Sequence, residues 1–334
     1  MNRTAKPTLA IIGAGIAGLT AARQCQKAGL SVTLYDKGRG VGGRCATRRR
    51  DDFAFDHGVQ LIAASDSAFR GALRQWMIAT AVQRWKGRLA NMPAGITPYV
   101  GTPGMNAVPK LLARDLNVYL PVEIAEIAAV EGGQWGLSDV EGRLLGSYDA
   151  VLLTCPPEQA QRLSGSLFAP EIFERPVTMR AVWTVMAAFQ RPVHAPYDAA
   201  LLNEEPLAWV ARNSAKPQRE QAPDSWVLHA GSDISEQFID HPREEVISDL
   251  LAAFEHELAE PLPPTVYTTA HRWRFAKAEG QSLNGEISVF DDGLGLGVAG
   301  DWLNPPETVF YGVQSAWQSG MNAAARIKAW AKAR

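Results

Sequence analysis

The stretch Leu9-Ala-Ile-Ile-Gly-Ala-Gly-Ile-Ala-Gly-Leu19 decides how the beginning of this chain folds. Its first four residues are apolar and end at a glycine, which predicts a short strand buried on both faces. Gly13, Gly15 and Gly18 then follow with the spacing G-x-G-x-x-G. In that spacing the first glycine permits a tight turn, the second lets the backbone approach a pyrophosphate, and the third lets a helix pack closely on the sheet. The stretch is therefore typical of a dinucleotide-binding turn.

The residues that follow complete the unit that such a turn requires. The pattern predicts a helix from Ile16 to Ala28, ended by Gly29, and a second strand from Val32 to Tyr35. Asp36 stands at the end of that strand, roughly 20 residues after the first glycine, where an acid accepts hydrogen bonds from a ribose. Strand, helix, strand and acid occur in the expected order, so chance is a poor explanation for the motif. NAD and FAD both remain open as the dinucleotide at this point.

The composition limits the class of protein. The chain has 334 residues with 46% hydrophobic content, enough for one large or two ordinary domains. Its formal net charge of −2 offers no broad attraction to nucleic acid or to an anionic membrane, so neither is expected as a partner.

Three cysteines without C-x-x-C spacing make a disulfide framework or a metal site unexpected, and no oligomeric state is predicted. No apolar segment resembles a signal-peptide core or a membrane span, so we expect a cytoplasmic protein.

A second glycine-rich segment, Lys37-Gly-Arg-Gly-Val-Gly-Gly-Arg44, lies directly after the acid. One interpretation is a flexible basic surface loop. The other is a second phosphate contact, because glycine backbone beside cations suits an anion and Arg44 can donate two parallel hydrogen bonds. The two motifs together resemble those of the FAD-binding flavoprotein amine oxidases, in which a Gly-Gly-Arg follows the acid and its arginine approaches the flavin. The resemblance implies FAD as the cofactor. We expect it to be bound non-covalently, with Cys45 as the one cysteine close to these motifs.

Segments near the C-terminus carry the same resemblance. Residues 294–302 form a glycine-rich run that contains Gly-Asp, and a helix is predicted over residues 312–330. In FAD proteins of this fold the acid binds the ribityl chain or the phosphates, and the N-terminus of the following helix faces the flavin pyrimidine. The resemblance assigns these roles to Asp301 and to Gly312 with Val313. An ordinary turn or helix-capping aspartate is the alternative for Asp301.

The predicted cofactor-binding residues combine these motifs with segments that relatives place beside the adenine or the flavin ring. They are Gly13, Ala14, Gly15, Ile16, Ala17, Gly18, Asp36, Lys37, Gly43, Arg44, Val59, Val122, Gly300, Asp301, Gly312 and Val313.

A closer resemblance covers almost the whole length. It rests on the strings Asp56-x-Gly-x-Gln60, Trp209-x-Ala-Arg-Asn213 with Lys216-Pro217, Trp226-Val-Leu-His-Ala230, Ala270-His-Arg-Trp273 and Gly300-Asp-Trp302. These strings resemble those of bacterial renalase-type flavoproteins. Renalases oxidise mis-reduced dihydronicotinamide isomers of NAD(P) by hydride removal and pass the electrons to oxygen. The resemblance therefore implies a dihydronicotinamide dinucleotide and oxygen as the small-molecule partners.

Such a reaction depends more on how the dihydronicotinamide ring of the donor is oriented than on a general base. The candidate catalytic residues are polar and aromatic side chains of the matching strings: Gln60, His229, His271, Trp273 and Trp302. Aromatic residues are usually interior, so ordinary core packing is the alternative for each tryptophan. His57 is expected to be a structural residue rather than an acid or base.

Two other functions stay open on the same sequence. A flavin amine or amino-acid oxidase would use the same cofactor domain, but it would need an aromatic cage or carboxylate clamp for the amine. A non-enzymatic carrier of this fold would be expected to have lost the cofactor motifs, and Gly15, Arg44 and Asp301 are intact.

The expected fold class is α/β, with a Rossmann-like FAD-binding domain and a discontinuous α+β substrate domain of the amine-oxidase and renalase type. We assign residues 1–60, 105–160 and 285–334 to the FAD-binding domain. Residues 61–104 and 161–284 form the substrate domain, because strand patterns there surround one amphipathic helix that begins at Pro242. That helix places apolar residues at intervals of four, from Val246 to Leu258.

Overall fold

The computed structural model describes residues 6–50, 52–168, 173, 177–202, 205–280 and 285–334. The chain divides into two compact units. Unit 1 consists of Met1–Gly43, Pro109–Thr178 and Ala278–Arg334, and unit 2 consists of Arg44–Val108 and Met179–Lys277. In the described ranges, no helix is long and apolar enough to cross a membrane. The domain boundaries expected from the sequence stay a prediction.

The α-helices of the described residues are α1 Ile16–Lys27, α2 Ser67–Ile78, α3 Ala107–Ala113, α4 Pro157–Ser164, α5 Ser232–Gln237, α6 Arg243–Leu258 and α7 Gly312–Ala333. The strands are β1 Thr8–Ile12, β2 Ser31–Tyr35, β3 Thr47–Arg50, β4 Phe53–Asp56, β5 Val82–Arg84, β6 Leu89–Ala90, β7 Tyr99–Gly101, β8 Asn117–Tyr119, β9 Ile124–Val130, β10 Gln134–Asp139, β11 Leu144–Tyr148, β12 Ala150–Leu153, β13 Val177–Phe189, β14 Ala199–Leu201, β15 Leu207–Arg212, β16 Asp224–Ala230, β17 Thr265–Gly280, β18 Ser288–Asp291 and β19 Leu296–Ala299.

Unit 1 is built on a six-stranded sheet with the order β18-β19-β12-β1-β2-β8. β1 pairs in parallel with both β2 and β12, and β18 adds an antiparallel edge to β19. Apolar side chains of the central strands, such as Leu9, Leu34 and Leu152, are fully buried. Such burial on both faces is expected for parallel strands covered by helices. The predicted Rossmann-like fold is confirmed.

One apolar stretch of unit 1, residues 144–154, contains two strands. These strands are β11 and β12, which belong to different sheets. The division occurs at Asp149, whose carboxylate accepts hydrogen bonds from the backbone N–H and the hydroxyl of Thr8, each at 2.8 Å. The chain leaves one sheet and enters the other because this buried carboxylate is tied to the beginning of β1.

Unit 2 contains a second six-stranded sheet with the order β17-β13-β16-β15-β14-β6. The predicted amphipathic helix is found as α6, and its residues Val246, Leu250 and Phe254 are buried in one core with Trp226 of β16. Helical spacing places these side chains on one face, so burying that face attaches α6 to the core. The mixed α/β class expected for the chain is confirmed by the two sheets and their helices.

Candidate functional site

The glycine turn of unit 1 has the geometry that its spacing predicts. Gly13 has φ +113°, and a Cβ there would lie 2.5 Å from Thr154 Oγ1. A Cβ at Gly18 would lie 2.1 Å from the carbonyl oxygen of Gly13, so the helix can approach the turn only with glycine there. A Cβ at Gly15 would meet nothing within 4 Å. The first and third glycines are thus required for packing, whereas the second borders open space.

Gly15 is also the N-cap residue of α1, and no side chain caps this helix end. The first N–H groups of a helix have no partner within the helix, and together they attract anions. Ala14, Ile16 and Ala17 surround this end with buried apolar side chains. The open space beside Gly15 therefore suits a phosphate group.

Asp36 holds the glycine turn and the end of β2 together. Its carboxylate accepts the Ala14 N–H at 2.6 Å and the Gly38 N–H at 2.7 Å. Its carbonyl oxygen accepts the Val122 N–H at 2.8 Å, which attaches the predicted adenine-contact segment to the same acid. Each carboxylate oxygen can accept more than one hydrogen bond, so the carboxylate can still accept from a ribose hydroxyl. The predicted ribose role of Asp36 is compatible with this arrangement and stays a prediction.

The second glycine segment lies against the first within unit 1. The Gly42 N–H donates to the Ala14 carbonyl at 2.8 Å, and a Cβ at Gly43 would lie 3.9 Å from Gly15 Cα. Lys37 is exposed and lies 3.8 Å from Glu123. The backbone of both glycine motifs thus borders the α1 N-terminus.

The C-terminal motif of unit 1 also ends at an open helix terminus. Asp301 is 5% exposed and begins a short 3₁₀ helix. Gly312 begins α7 without a side-chain cap, and a Cβ there would meet nothing within 4 Å. A Cβ at Gly320 would lie 2.3 Å from the carbonyl oxygen of Ala17, so this glycine lets α7 pack directly on α1. Unit 1 therefore presents two uncapped helix N-termini, each beside a glycine that leaves space.

Trp302 follows Asp301 and lies in unit 1. It is 2% exposed, and its ring stacks on Phe173 at a centroid distance of 6.2 Å. Its indole Nε1 is buried without a hydrogen-bond partner in the described ranges. A buried indole N–H usually finds an acceptor. This group is thus available to a ligand, although core packing explains the ring equally well.

These features fit a dinucleotide cofactor. The two open helix termini suit anionic groups, Asp36 suits a ribose, and the glycines leave the space that a ligand needs.

Unit 2 brings four of the five predicted catalytic residues together with His57, in a group that we call the ring cluster. The ring cluster consists of His57, His229, His271, Trp273 and Gln60. The His271 and Trp273 rings lie 4.4 Å apart and nearly perpendicular, and His57 lies 4.9 Å from Trp273. Trp273 Nε1 donates to the His57 carbonyl at 3.0 Å. The alternation of β17 places His271 and Trp273 on one face, which explains why they meet.

Gly58 allows the chain to approach this cluster closely. A Cβ at Gly58 would lie 2.1 Å from the Arg44 carbonyl oxygen and 3.2 Å from the Trp273 ring. The Arg44 carbonyl also accepts the Val59 N–H at 2.8 Å, and an Arg44 guanidinium nitrogen donates to the Ala276 carbonyl at 3.1 Å. Arg44 and Val59, predicted to bind the cofactor, are thus tied together in unit 2, and their cofactor role stays a prediction.

The imidazoles of the ring cluster are held in the neutral form. The pKa of His57 is lowered to about 3. Burial is the largest cause, and the nearby His271, Arg48 and His229 contribute less. Burial and Lys216 lower the pKa of His229 to about 4. Burial and nearby arginines lower the pKa of His271 to about 4. The cluster therefore offers uncharged aromatic surfaces at neutral pH.

A buried ion group lies beside the ring cluster, and the sequence did not point to it as a site. The Asp56 carboxylate accepts from the Arg219 guanidinium at 2.5 Å and lies 3.7 Å from the Lys216 ammonium. It also accepts the Thr47 hydroxyl and the Met105 N–H, both at 2.8 Å. Asp56 and Lys216 have fully buried side chains. Lys216 in turn donates to Gln60 Oε1 at 3.0 Å.

The pKa values of this ion group follow from competition between burial and charge. Burial raises the pKa of Asp56, but the charges of Lys216 and Arg219 and the hydrogen bonds outweigh it, so the pKa is lowered. Burial lowers the pKa of Lys216 to about 8, although Asp56 opposes this. At pH 7 the carboxylate is ionised and the ammonium remains protonated.

Two arginines of the matching strings, Arg212 and Arg272, could bind a dinucleotide phosphate or form ion pairs. Arg212 lies 3.5 Å from Asp224 and over the Trp226 ring at 4.9 Å. Arg272 lies 3.0 Å from Asp240. The ion-pair interpretation thus describes both side chains in this structure.

We expect the free energy of unfolding to fall as pH falls from about 6.5 toward 4. The unfolded chain, whose imidazoles titrate near 6.5, binds more protons in that range than the folded chain, whose ring-cluster histidines have lowered pKa values. Stability that is present above pH 6.5 is therefore lost on acidification, by up to about 1.4 kcal/mol per pH unit for each histidine. Denaturant unfolding at a series of pH values measures this slope.

A His271→Phe variant should show a shallower fall than the wild type, because one of the three groups no longer titrates. His256→Phe is the matched control, since the His256 side chain is exposed in α6, and it should keep the wild-type slope. If the unfolding free energy of His271→Phe falls with pH as steeply as that of the wild type, the lowered pKa of His271 is contradicted.

Two known families match the sequence. The family of NAD(P)-binding Rossmann-like domains matches residues 11–76, and the family of flavin containing amine oxidoreductases matches residues 83–328. Among curated proteins, the 4,4'-diapophytoene desaturases of Staphylococcus aureus strains Newman and USA300 are 40% identical over 58 residues. That match covers 17% of this chain and only 12% of the desaturases.

Solved structures match over nearly the whole chain. A putative protoporphyrinogen oxidase from Exiguobacterium sp. 255-15 has a TM-score of 0.75 at 15% identity, covering 97% of this chain and 99% of that one. Cyclohexylamine oxidase from Brevibacterium oxydans IH-35A has a TM-score of 0.72 at 14% identity, with coverages of 97% and 99%. At these identities the likeness establishes the fold.

Proposed function

The chain belongs to the flavin-containing amine oxidoreductase family, and we propose that within this family it is a renalase-type FAD-dependent oxidase. Its substrates would be the mis-reduced 2- or 6-dihydro isomers of NAD(P). Each turnover would transfer a hydride from the donor, release NAD(P)⁺ and, with oxygen as the final two-electron acceptor, form hydrogen peroxide.

The observation that carries this proposal is the electrostatic character of the ring cluster. Its three imidazoles are neutral at pH 7 because their pKa values are lowered. The carboxylate beside them, Asp56, is already paired with Lys216 and Arg219. A protonated amine gains little from such surroundings, whereas an uncharged dihydropyridine ring can pack against neutral aromatic surfaces.

When bound, the flavin supplies an electron acceptor that oxygen can reoxidise. The residues of this chain then have to bind the cofactor and the donor, orient the donor ring and shield the two rings. The open helix termini at Gly15 and Gly312 would hold the anionic parts of the cofactor. His271 and Trp273 would limit the orientations of a donor ring, and the buried Gln60 would fix His229. Positioning of this kind accounts for catalysis when no proton must be removed from the donor.

An amine or amino-acid oxidase is the second candidate. It is favoured by the perpendicular pair of His271 and Trp273, whose aromatic faces could bind a cation. Structural likeness to cyclohexylamine oxidase extends to the fold and does not identify a substrate. A non-enzymatic carrier is less well supported, because the space beside Gly15 is open rather than filled by a side chain.

We expect FAD to be released from the protein by acid precipitation. The cysteine beside the second motif, Cys45, is 3% exposed and Cys25 is fully buried, which disfavours a thioether link to the cofactor. The supernatant should contain FAD in an amount equal to the protein, as measured by chromatography and absorbance. Flavin that stays in the pellet would contradict non-covalent binding, and FMN in the supernatant would contradict a dinucleotide cofactor.

The substrate proposal is tested by aerobic turnover of the dihydro isomers. NAD(P)⁺ and hydrogen peroxide should form in equal amounts, because two electrons leave each donor and two enter each oxygen. Simple amines under the same conditions should give far less peroxide; the reverse order would favour the amine-oxidase alternative.

A further inference from the structure

Three side chains of unit 2 form a line of hydrogen bonds that ends at His229. The Lys216 ammonium donates to Gln60 Oε1 at 3.0 Å, and Gln60 Nε2 lies 3.4 Å from His229 Nε2. Gln60 Nε2 has two hydrogens: one is donated to the backbone carbonyl of Asp56, and the other is shared between the Gly58 carbonyl, at 3.1 Å, and His229. Gln60 thus connects a buried cation with an imidazole.

The donors and acceptors in this line leave one consistent arrangement. An ammonium only donates, so Lys216 requires the carbonyl oxygen of the Gln60 amide on its side. The two backbone carbonyls only accept, so they require the amide nitrogen on the other side. An amide nitrogen does not accept hydrogen bonds. His229 Nε2, which faces that nitrogen, is therefore the ring nitrogen without a proton.

We propose that Lys216 is a positioning residue that acts through Gln60 and holds His229 as the neutral tautomer with its proton on Nδ1. The His229 ring also hydrogen-bonds the backbone of His57, which gives the protonated side of the ring a place to donate. The value of this tautomer for orienting an uncharged donor ring rests on the proposed function. The tautomer itself depends only on the hydrogen-bond line.

The surroundings of Lys216 keep its ammonium group protonated, so that it can donate hydrogen bonds. Its side chain is fully buried, with Asp56 3.7 Å away and the Trp85 ring 5.7 Å from the ammonium. Burial, and the nearby Arg219, lower its pKa to about 8, so the ammonium is still protonated at pH 7. A buried cation of this kind needs hydrogen bonds as well as a counter-ion, and Gln60 supplies one.

The test is nitrogen-15 NMR of histidine side chains in the flavin-loaded protein, in which chemical shifts distinguish the tautomers. The His229 signals are identified by their loss in His229→Asn. We expect the wild type to show the proton on Nδ1. In Lys216→Met the Gln60 amide loses one of the contacts that fix its orientation, so the population with a proton on Nε2 should rise. In Gln60→Glu a carboxylate faces His229 Nε2, and the titration midpoint of His229 should rise by roughly one to three pH units.

Thr184→Val is the matched control. Thr184 pairs with His229 across β13 and β16, and its buried hydroxyl has no hydrogen-bond partner in the part of the chain that the structure describes. This variant should keep both the wild-type tautomer and the wild-type midpoint. A wild-type proton on Nε2 would overturn the proposal, and so would unchanged tautomer populations in Lys216→Met. If Lys216→Met does not fold, the position of the His229 proton in the wild type decides.

A donor assay on the same samples separates this inference from the proposed function. If the NMR results are as expected but no dihydronicotinamide is oxidised, the proposed function fails and the positioning role stands. If the donor is oxidised but His229 carries its proton on Nε2, the proposed function stands and the positioning role fails.

Discussion

A Gly15→Val variant is expected to purify without flavin, as a colourless protein that keeps its secondary structure. Gly15 has φ −79° and ψ −176°, which valine can adopt, and a side chain there meets no protein atom within 4 Å. The fold can therefore accommodate the change. The added methyl groups would fill the space beside the α1 N-terminus that a phosphate needs, so we expect flavin affinity to fall by on the order of 100-fold or more.

The ratio of flavin absorbance to protein measures this loss, and circular dichroism measures the retained fold. Gly71→Val is the matched control, because Gly71 lies in α2 and a Cβ there also meets nothing within 4 Å. The control should retain the wild-type flavin content. A yellow Gly15→Val protein would show that the phosphate site lies elsewhere.

An Asp56→Asn variant is expected to lose about 3–5 kcal/mol of unfolding free energy, since it leaves buried cations without their counter-ion. Asp56 is fully buried and its carboxylate pairs with Lys216 and Arg219. Asparagine has the same size, so the loss would report charge rather than volume. The folded-state pKa of Asp56 is lowered, so its contribution is present at neutral pH and is lost as pH falls through its folded-state value.

Denaturant unfolding at pH 7 measures this difference. Glu123→Gln is the control, because Glu123 is partly exposed and lies 3.8 Å from both Lys37 and Arg162. That surface change should cost less than about 1 kcal/mol. Adding Lys216→Met to Asp56→Asn should recover part of the loss, because one unpaired buried charge is removed. An Asp56→Asn protein as stable as the wild type would contradict the claim that Asp56 is the counter-ion of Lys216 and Arg219.

The cofactor unit could be predicted from the sequence because its signals are local. The first strand, the glycine turn, the helix and Asp36 all lie within one short stretch, and each has a backbone requirement that can be read from residue type. The same holds for α6, whose apolar residues recur with helical spacing and become the buried face. The placement of β11 and β12 in different sheets could not be predicted, since it depends on a contact between Asp149 and the distant Thr8.

The ion group of unit 2 could not be predicted for the same physical reason. Gln60 and Lys216 are 156 residues apart, and Asp56 and Arg219 are 163 residues apart. No periodicity joins such positions, and a lone charged residue usually lies at the surface. The matching strings contain both Asp56 and Lys216, but they gave no reason to pair them. His57 was expected to be a satisfied structural histidine, yet its Nδ1 is buried without a partner in the described ranges.

Anaerobic stopped-flow mixing tests the proposed reaction most directly, because it observes flavin reduction without interference from oxygen. The flavin-loaded protein is mixed separately with 2- and 6-dihydro-NAD(P), with ordinary NAD(P)H, and with simple amines at matched concentrations. We predict rapid bleaching of the oxidised flavin spectrum by the dihydro isomers and much slower bleaching by the other two classes. Flavin reduction by amines that is orders of magnitude faster than by any dihydronicotinamide would contradict the renalase-type proposal and establish the amine-oxidase alternative.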